Sequence, residues 1–291
     1  MSASVALALA AIVAPAAILG IRSMGRVKGL ATSEPKASAI LITGCSSGIG
    51  QTTALHLASK GVTVFATVRK EKDAAALREH DRVVPLIADV AVPADIQRLQ
   101  SLVEAELKAR PTLVLAGVVN NAALLKSDPE TFDTSILEEH FAANVFGLSR
   151  IIEAFLPLLL QVGAAAPGAA RVVSLGSYFG DFLPGEAVLS YSATKHALEP
   201  LSDGMRRRLA PKGVHVALVK PGNIATNMNP TFAEVGPECV AEAIDDALFS
   251  DAPRTRYYPG TFGGLPNRVA CLLFGSLPDR WADALWKWKL G

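Results

Sequence analysis

Apolar positions along this chain alternate between two patterns. Short, nearly continuous apolar runs stand at 39–43 (AILIT), 62–68 (VTVFATV), 83–90 (VVPLIADV), 113–122 (LVLAGVVNNA), 171–177 (RVVSLGS) and 214–222 (VHVALVKPG). Their brevity, their β-branched residues and their turn-forming neighbours predict buried strands. Between them, helical periodicity spans 48–60, stopped by Gly61, then 96–109, 141–160 with Pro157 near its end, and the stretch that carries Tyr191. Pro237 opens a further helix, PECVAEAIDDAL, and RTRYYPG at 254–260 reads as a last strand. Strands that are apolar on both faces and alternate with helices predict a doubly wound parallel α/β sheet, covered on each side.

One run stands outside this alternation. Val5 to Ile21 carries no charge, holds Pro15 in its middle and is followed by Arg22, Arg26 and Lys28. At about 1.5 Å per residue it reaches the lower limit for spanning a hydrocarbon core of about 30 Å. Basic residues flank only its C-terminal side, so the rest of the chain is expected in the cytosol, at the endoplasmic reticulum membrane if the cell is eukaryotic. This divides the chain into a hydrophobic anchor over 1–30, a polar linker over 31–38 and one domain over 39–291. A cleaved targeting peptide and a soluble helix stay open, although the run lacks the basic start of a signal peptide.

Composition narrows the class. Half of the 291 residues are hydrophobic, 19% are charged, and the net charge is +1, which gives no footprint for a nucleic-acid partner. Cys45, Cys239 and Cys271 are widely spaced and odd in number, so neither a disulfide framework nor a metal site is expected. Cys45 reads as a packing residue.

The chemistry concentrates at a few positions. The first strand runs into TGCSSGIG, Thr43 to Gly50, at the start of a helix. Gly44, Gly48 and Gly50 permit a tight turn and close approach to a diphosphate, and the helix N-terminus offers N–H donors. Tyr191 and Lys195 stand four apart and share one helix face. A lysine ammonium there is expected to lower a phenol that otherwise titrates near ~10, so that Tyr191 accepts a proton from an alcohol or returns it to a carbonyl. Ser177, upstream at a strand end, would orient the substrate oxygen.

Read in order, TGCSSGIG, Asp89-Val90, NNAA at 120–123, NVFG at 144–147, Ser177, YSATK at 191–195 and PGNIAT at 221–226 resemble the short-chain dehydrogenase/reductase family. The pattern is nearest to hydroxysteroid and retinol dehydrogenase-like members, and the resemblance runs from about Ala39 to the C-terminus. It implies a Rossmann-type sheet and a nicotinamide cofactor held by Gly44, Ser46, Ser47, Gly48, Ile49, Gly50, Arg69, Asp89, Asn120, Asn121, Ala122, Pro221, Gly222 and Thr226, together with Tyr191 and Lys195. It implies that Asn144 completes a proton relay through water to Lys195, which also holds the nicotinamide ribose. The second strand ends in Val68-Arg69-Lys70, with no carboxylate before Glu71, so NADP(H) is favoured and NAD(H) remains open.

Four features depart from the family pattern. Ala123 replaces the last glycine of NNAG. Pro200 should kink the helix beyond Lys195. Only ten residues separate Thr226 from Pro237, which predicts an unusually open substrate site. The C-terminal PDRWADALWKWKL, 278–290, fits either a docked helix or an interfacial membrane segment. Tyr178 is expected to line the pocket, His196 to lie at the surface and Ser174 to pack. The expected function is NADP(H)-dependent interconversion of an alcohol and a carbonyl on an apolar, steroid-, retinoid- or lipid-like substrate, in a membrane-bound protein that admits a homo-oligomer. An NAD-dependent lipid alcohol dehydrogenase and a catalytically impaired, membrane-tethered nucleotide-binding protein are the alternatives.

Overall fold

A computed structural model describes residues 34–131, 133–182, 185–228, 234–278, 280–282 and 284. The expected anchor over 1–30 and the tail after 284 lie outside the described residues.

Seven parallel strands form the sheet: β1 (Ser38–Ile42), β2 (Thr63–Val68), β3 (Val83–Ile87), β4 (Val114–Asn120), β5 (Ala170–Leu175), β6 (Val214–Val219) and β7 (Arg256–Tyr257). Their spatial order is β3-β2-β1-β4-β5-β6-β7, so the order reverses between β1 and β4. In such sheets that switch point opens a crevice at the carboxyl ends of the strands.

The strand pleat sends alternate residues to opposite faces. On one face Leu41, Val118, Val172 and Val216 meet α3 (Pro93–Ala109) through Leu99, α5 (Leu148–Ala165) through Ile151 and Phe155, and α6 (Leu189–Leu209) through Leu198. On the other, Ile40, Val119, Val173 and Val219 meet Leu57 of α1 (Gly48–Ser59) and Ile244 of α7 (Glu238–Phe249). Each such side chain removed from water contributes about 1.5–3 kcal/mol, which explains why the strands read as unbroken apolar runs.

The remaining elements are α2 (Glu71–Leu77), α4 (Thr134–Phe141), a short hairpin of β8 (Thr261–Phe262) and β9 (Leu265–Pro266), and α8 (Asn267–Phe274). The hairpin and α8 were not legible in the sequence pattern. Pro35–Ala37 forms a 3₁₀ turn inside the segment read as linker, and β1 begins at Ser38. The helix expected over 141–160 is longer and interrupted. Asp133 caps α4 by accepting the Ser135 N–H, and Ala142–Gly147 form a π-turn before α5. An 18-residue window of the continuous Thr134–Ala165 helix has a mean hydropathy of 1.6, apolar enough to cross a membrane, but Leu148, Ile151, Phe155 and Leu159 pack on the sheet, so it is a core helix. Pro200 does not end α6, which continues to Leu209; Pro200 faces solvent, where its missing N–H leaves no buried acceptor without water.

Candidate active site

The carboxyl ends of the strands open on one cleft of about 2130 Å³. The turn after β1 and the turn after β4 form one end of it. Asn121 joins them: its Nδ2 donates to the Thr43 and Gly44 carbonyls at 2.8 and 3.0 Å, and the Asn121 N–H donates to Thr43 Oγ1 at 3.0 Å. Gly44 takes φ +73°, and a Cβ on Gly50 would stand 2.2 Å from the Gly44 oxygen. Both positions therefore need glycine for the turn to close on itself. Ser47 caps α1 without a side-chain bond, and the first turn of α1 carries no acidic residue. The donor set facing the cleft is thus backbone N–H and hydroxyl without a carboxylate, which fits a diphosphate. Cys45 is buried here and burial pushes its thiol far up, so it packs rather than reacts.

Arg69 stands exposed on the cleft rim just beyond β2. Glu71, the first carboxylate after that strand, is ion-paired with Arg78. Asp89 also lines the cleft, and its Oδ1 accepts the Ala91 N–H at 2.9 Å.

At the middle of the cleft lie Ser177, Tyr191 and Lys195. Ser177 follows β5 and opens the 3₁₀ turn Tyr178–Gly180, where its Oγ accepts the Phe179 N–H at 3.2 Å. Burial pushes the neighbouring Tyr191 phenol above its ordinary range, and the Ser177 hydroxyl acts in the opposite direction. Lys195 Nζ sits 5.3 Å from the Tyr191 ring centroid and donates to the Leu175 carbonyl at 2.7 Å. Burial brings the Lys195 ammonium down to about 7.

Two predicted residues lie off the cleft wall. Asn120 is 3% exposed, and its side-chain amide has no hydrogen-bond partner among the described residues. It ends β4 with its side chain turned into the sheet layer, while Asn121 and Ala122 reach the cleft. Asn144 sits in the π-turn and is buried. Its Oδ1 accepts the Leu124 N–H at 2.7 Å, and its Nδ2 donates to the Leu124 carbonyl and to Thr194 Oγ1, both at 3.0 Å. Its side chain thus joins the loop after β4 to α6, at the residue before Lys195. Ser46, Ser47, Gly48, Ile49, Gly50, Pro221, Gly222 and Thr226 all line the cleft as expected. Ser174 is buried and His196 exposed, also as expected.

The far end is aromatic. Phe179 meets the Tyr191 ring edge-on at 5.5 Å between centroids. Tyr178, Phe182, Phe262 and Phe274 pack beside it, and Tyr178 Oη donates to Asn223 Oδ1 at 2.9 Å. Phe274, Leu277 and Ala282 also line the cleft. The C-terminal part of the chain therefore supplies a wall that the local spacing did not reveal. Apart from Lys195, Lys126 is the basic lining residue at this end among the described residues, and it is ion-paired with Glu139.

Two further residues escaped the sequence reading. Asp128 Oδ2 accepts the Ser190 N–H at 2.9 Å, next to Tyr191. His140 is fully buried, and its Nε2 accepts the Lys126 N–H at 3.1 Å while its ring lies edge-on to Tyr191 at 6.5 Å. The Asp128-Pro129 pair is a turn signal, yet nothing local says which helix its carboxylate caps. No cluster suited to a metal occurs among the described residues.

A family model described as short chain dehydrogenase matches residues 38–235. The chain is 32% identical to an uncharacterized oxidoreductase, YbbO, of Escherichia coli (strain K12) over 245 residues, 78% of this chain and 87% of that protein. It is 36% identical to estradiol 17-beta-dehydrogenase 2 of Mus musculus over 196 residues, 65% of this chain and 49% of that protein. A short chain dehydrogenase from Burkholderia cenocepacia J2315, solved in complex with NADP, superposes with a TM-score of 0.69 at 24% identity, covering 87% of this chain and 98% of the other. At that identity the superposition speaks for the fold.

Proposed function

The chain belongs to the short-chain dehydrogenase family, NAD(P)-dependent oxidoreductases of CH–OH and C=O groups, and from that premise we propose that it interconverts a neutral, apolar secondary alcohol and its ketone with NADP(H). The observation that carries the reading is that Ser177, the buried Tyr191 and Lys195 line one cleft between a donor-lined turn and an aromatic wall.

Bound NADP(H) would supply the acceptor or donor of hydride, held by the glycine turn, Asn121, Ala122 and the Pro221-Gly222 edge. The chain's own residues handle the proton and the oxygen. Ser177 Oγ donates to the substrate oxygen and fixes it opposite Tyr191 Oη. Tyr191 takes the alcohol proton in oxidation, or gives it to the ketone oxygen in reduction. Lys195, on the same helix face, supplies positive charge when protonated and favours the phenolate as it forms. Asn144 keeps the loop after β4 against α6.

Substrate polarity follows from pairing. At the substrate end Lys126 is engaged by Glu139, and Asp181 is engaged by Lys220. Among the described residues an anionic substrate would meet no unengaged basic partner there, while Phe179, Phe182, Phe262 and Phe274 favour an apolar body of several rings or a long chain. The estradiol relative's name agrees with that class. For the cofactor, Arg69 on the rim and the engagement of Glu71 by Arg78 favour a 2′-phosphate.

The test is a turnover panel of neutral ketosteroids, retinal and long-chain ketones against short β-keto acids, followed by NADPH absorbance. Reduction of the neutral set is expected. Turnover confined to the keto acids would overturn the substrate class.

A further inference from the structure

We propose that Lys220 is a positioning residue that clamps the Ser177 turn against the helix carrying Tyr191 and Lys195, and so sets where Ser177 stands relative to Tyr191. This rests on reading those two residues as the reacting groups.

Lys220 follows β6 and precedes Pro221-Gly222 of the cleft wall. Its side chain is 1% exposed. The ammonium lies 2.6 Å from Asp181 Oδ1, as a hydrogen bond, and 2.6 Å from Glu199 Oε1, as a close ion pair. The two carboxylates belong to different elements. Asp181 closes the 3₁₀ turn that Ser177 opens, and Glu199 sits one helical turn past Lys195 on α6. These elements touch through backbone: a Cβ on Gly180 would stand 2.8 Å from the Lys195 carbonyl oxygen. Lys220 therefore straps together two surfaces already in contact.

The strap is itself held firmly. The Lys220 N–H donates to the Tyr257 carbonyl at 2.8 Å, and its carbonyl accepts Asn267 Nδ2 at 2.7 Å. The ammonium faces the Tyr258 ring, 5.3 Å from the centroid. Glu199 also pairs with Arg256 at 3.1 Å, and Arg256 reaches Asp203 at 3.2 Å. Cations and carboxylates thus alternate across the cluster, and no buried charge stands alone.

A buried ion pair is a poor way to gain stability, because desolvation cancels most of the attraction and an apolar residue of equal volume packs as well. An apolar residue cannot, however, hold two carboxylates on separate elements at one separation. Asp181 also lines the cleft beside Ser177. Without Lys220 it would present an uncompensated carboxylate to an apolar substrate and swing the turn toward water. Position and charge both assign Lys220 to the geometry of the reacting pair.

Hydrogen exchange read by mass spectrometry on the full chain tests the clamp without a substrate. In Lys220→Met, exchange should rise in peptides covering 176–182 and 191–199, while peptides covering the glycine turn stay as in the parent. A uniform rise means global destabilisation and overturns the proposal, as does no change. Asp181→Asn keeps an acceptor and is the gentler variant. On a ketone that the parent reduces, both variants should lose about tenfold in kcat with the NADPH KM within about twofold, and the double variant should be no worse than either single one. The pH midpoint of alcohol oxidation should rise, because the placement of Ser177, which opposes the effect of burial at Tyr191, is disturbed. Additive losses, or an unmoved midpoint, would also overturn it. Should Tyr191→Phe retain turnover, the reacting groups have been misread, and the exchange experiment still judges the clamp by itself.

Discussion

Asp128 Oδ2 accepts the Ser190 N–H at 2.9 Å, and Asp128 Oδ1 accepts the Ser190 hydroxyl. A carboxylate from the loop after β4 therefore caps the helix that carries Tyr191, whose own N-cap, Val188, has no side chain to do so. The negative charge also complements the partial positive charge of the helix end.

That cap yields a first prediction. Asp128→Ala should cost about 1 kcal/mol of stability, the usual value of a lost N-cap. It should also lower kcat more than the NADPH KM, since Tyr191 is the next residue. Urea unfolding together with steady-state kinetics checks both. Unchanged kcat at lowered stability would confine Asp128 to a folding role.

Tyr191→Phe removes only the titrating hydroxyl. Turnover should fall by at least about 10³-fold, while NADPH affinity stays within about threefold. Ser177→Ala should give a smaller loss, about 10²-fold, because Tyr191 keeps its proton and loses an orienting partner. Stopped-flow reduction and cofactor fluorescence separate the two effects.

Arg69→Asp replaces a phosphate partner with a repulsive charge on the rim of the cleft. NADPH binding should weaken at least about tenfold more than NADH binding, about 1.4 kcal/mol of discrimination. Titration of both cofactors by intrinsic fluorescence decides it; equal losses would remove Arg69 from the reading of the 2′-phosphate.

Burial, reinforced by nearby Arg171, brings His215 down from 6.5 to about 4. The folded state then binds fewer protons than the unfolded chain. The stability tied to this group is present above the unfolded value and is lost as pH falls through the folded value. Between those two values the loss amounts to about 3 kcal/mol. Unfolding measured in urea at pH 7 and at pH 4.5 should show the drop, and His215→Gln should flatten it. An equally steep drop in the variant would assign the acid sensitivity elsewhere.

Membrane attachment is expected from the uncharged run Val5 to Ile21 and the basic residues behind it. Full-length protein should remain in the pellet after carbonate washing, and a chain beginning at Ala37 should be released yet still bind NADPH, because β1 begins at Ser38. A soluble full-length protein, or a mature N-terminus beyond Ile21, would favour a cleaved targeting peptide.

Much of this protein could be read before its structure, for a physical reason. A strand buried on both faces must be apolar throughout, so β1 to β6 appear in the sequence within three residues of their ends. The glycine turn is legible too, since its three glycines stand together in Gly44 to Gly50 between a strand and a helix, although Asn121, Ala122 and Thr226 pack against it from afar. Tyr191 and Lys195 are brought together by one helix turn, and Ser177 by the end of its strand. Tertiary structure decided everything that depends on distant partners. Asn120 and Asn121 are adjacent in sequence, yet only the pleat determines that Asn121 reaches the cleft while Asn120 turns into the layer. Asn144 spends its amide on Leu124 and Thr194, a choice made by the packing of the π-turn. The state of Tyr191 follows from burial, which is a property of the whole cleft and not of its spacing to Lys195. The aromatic wall from Phe179 to Phe274, and Lys220 between Asp181 and Glu199, join segments far apart along the chain, and no local pattern encodes such a meeting.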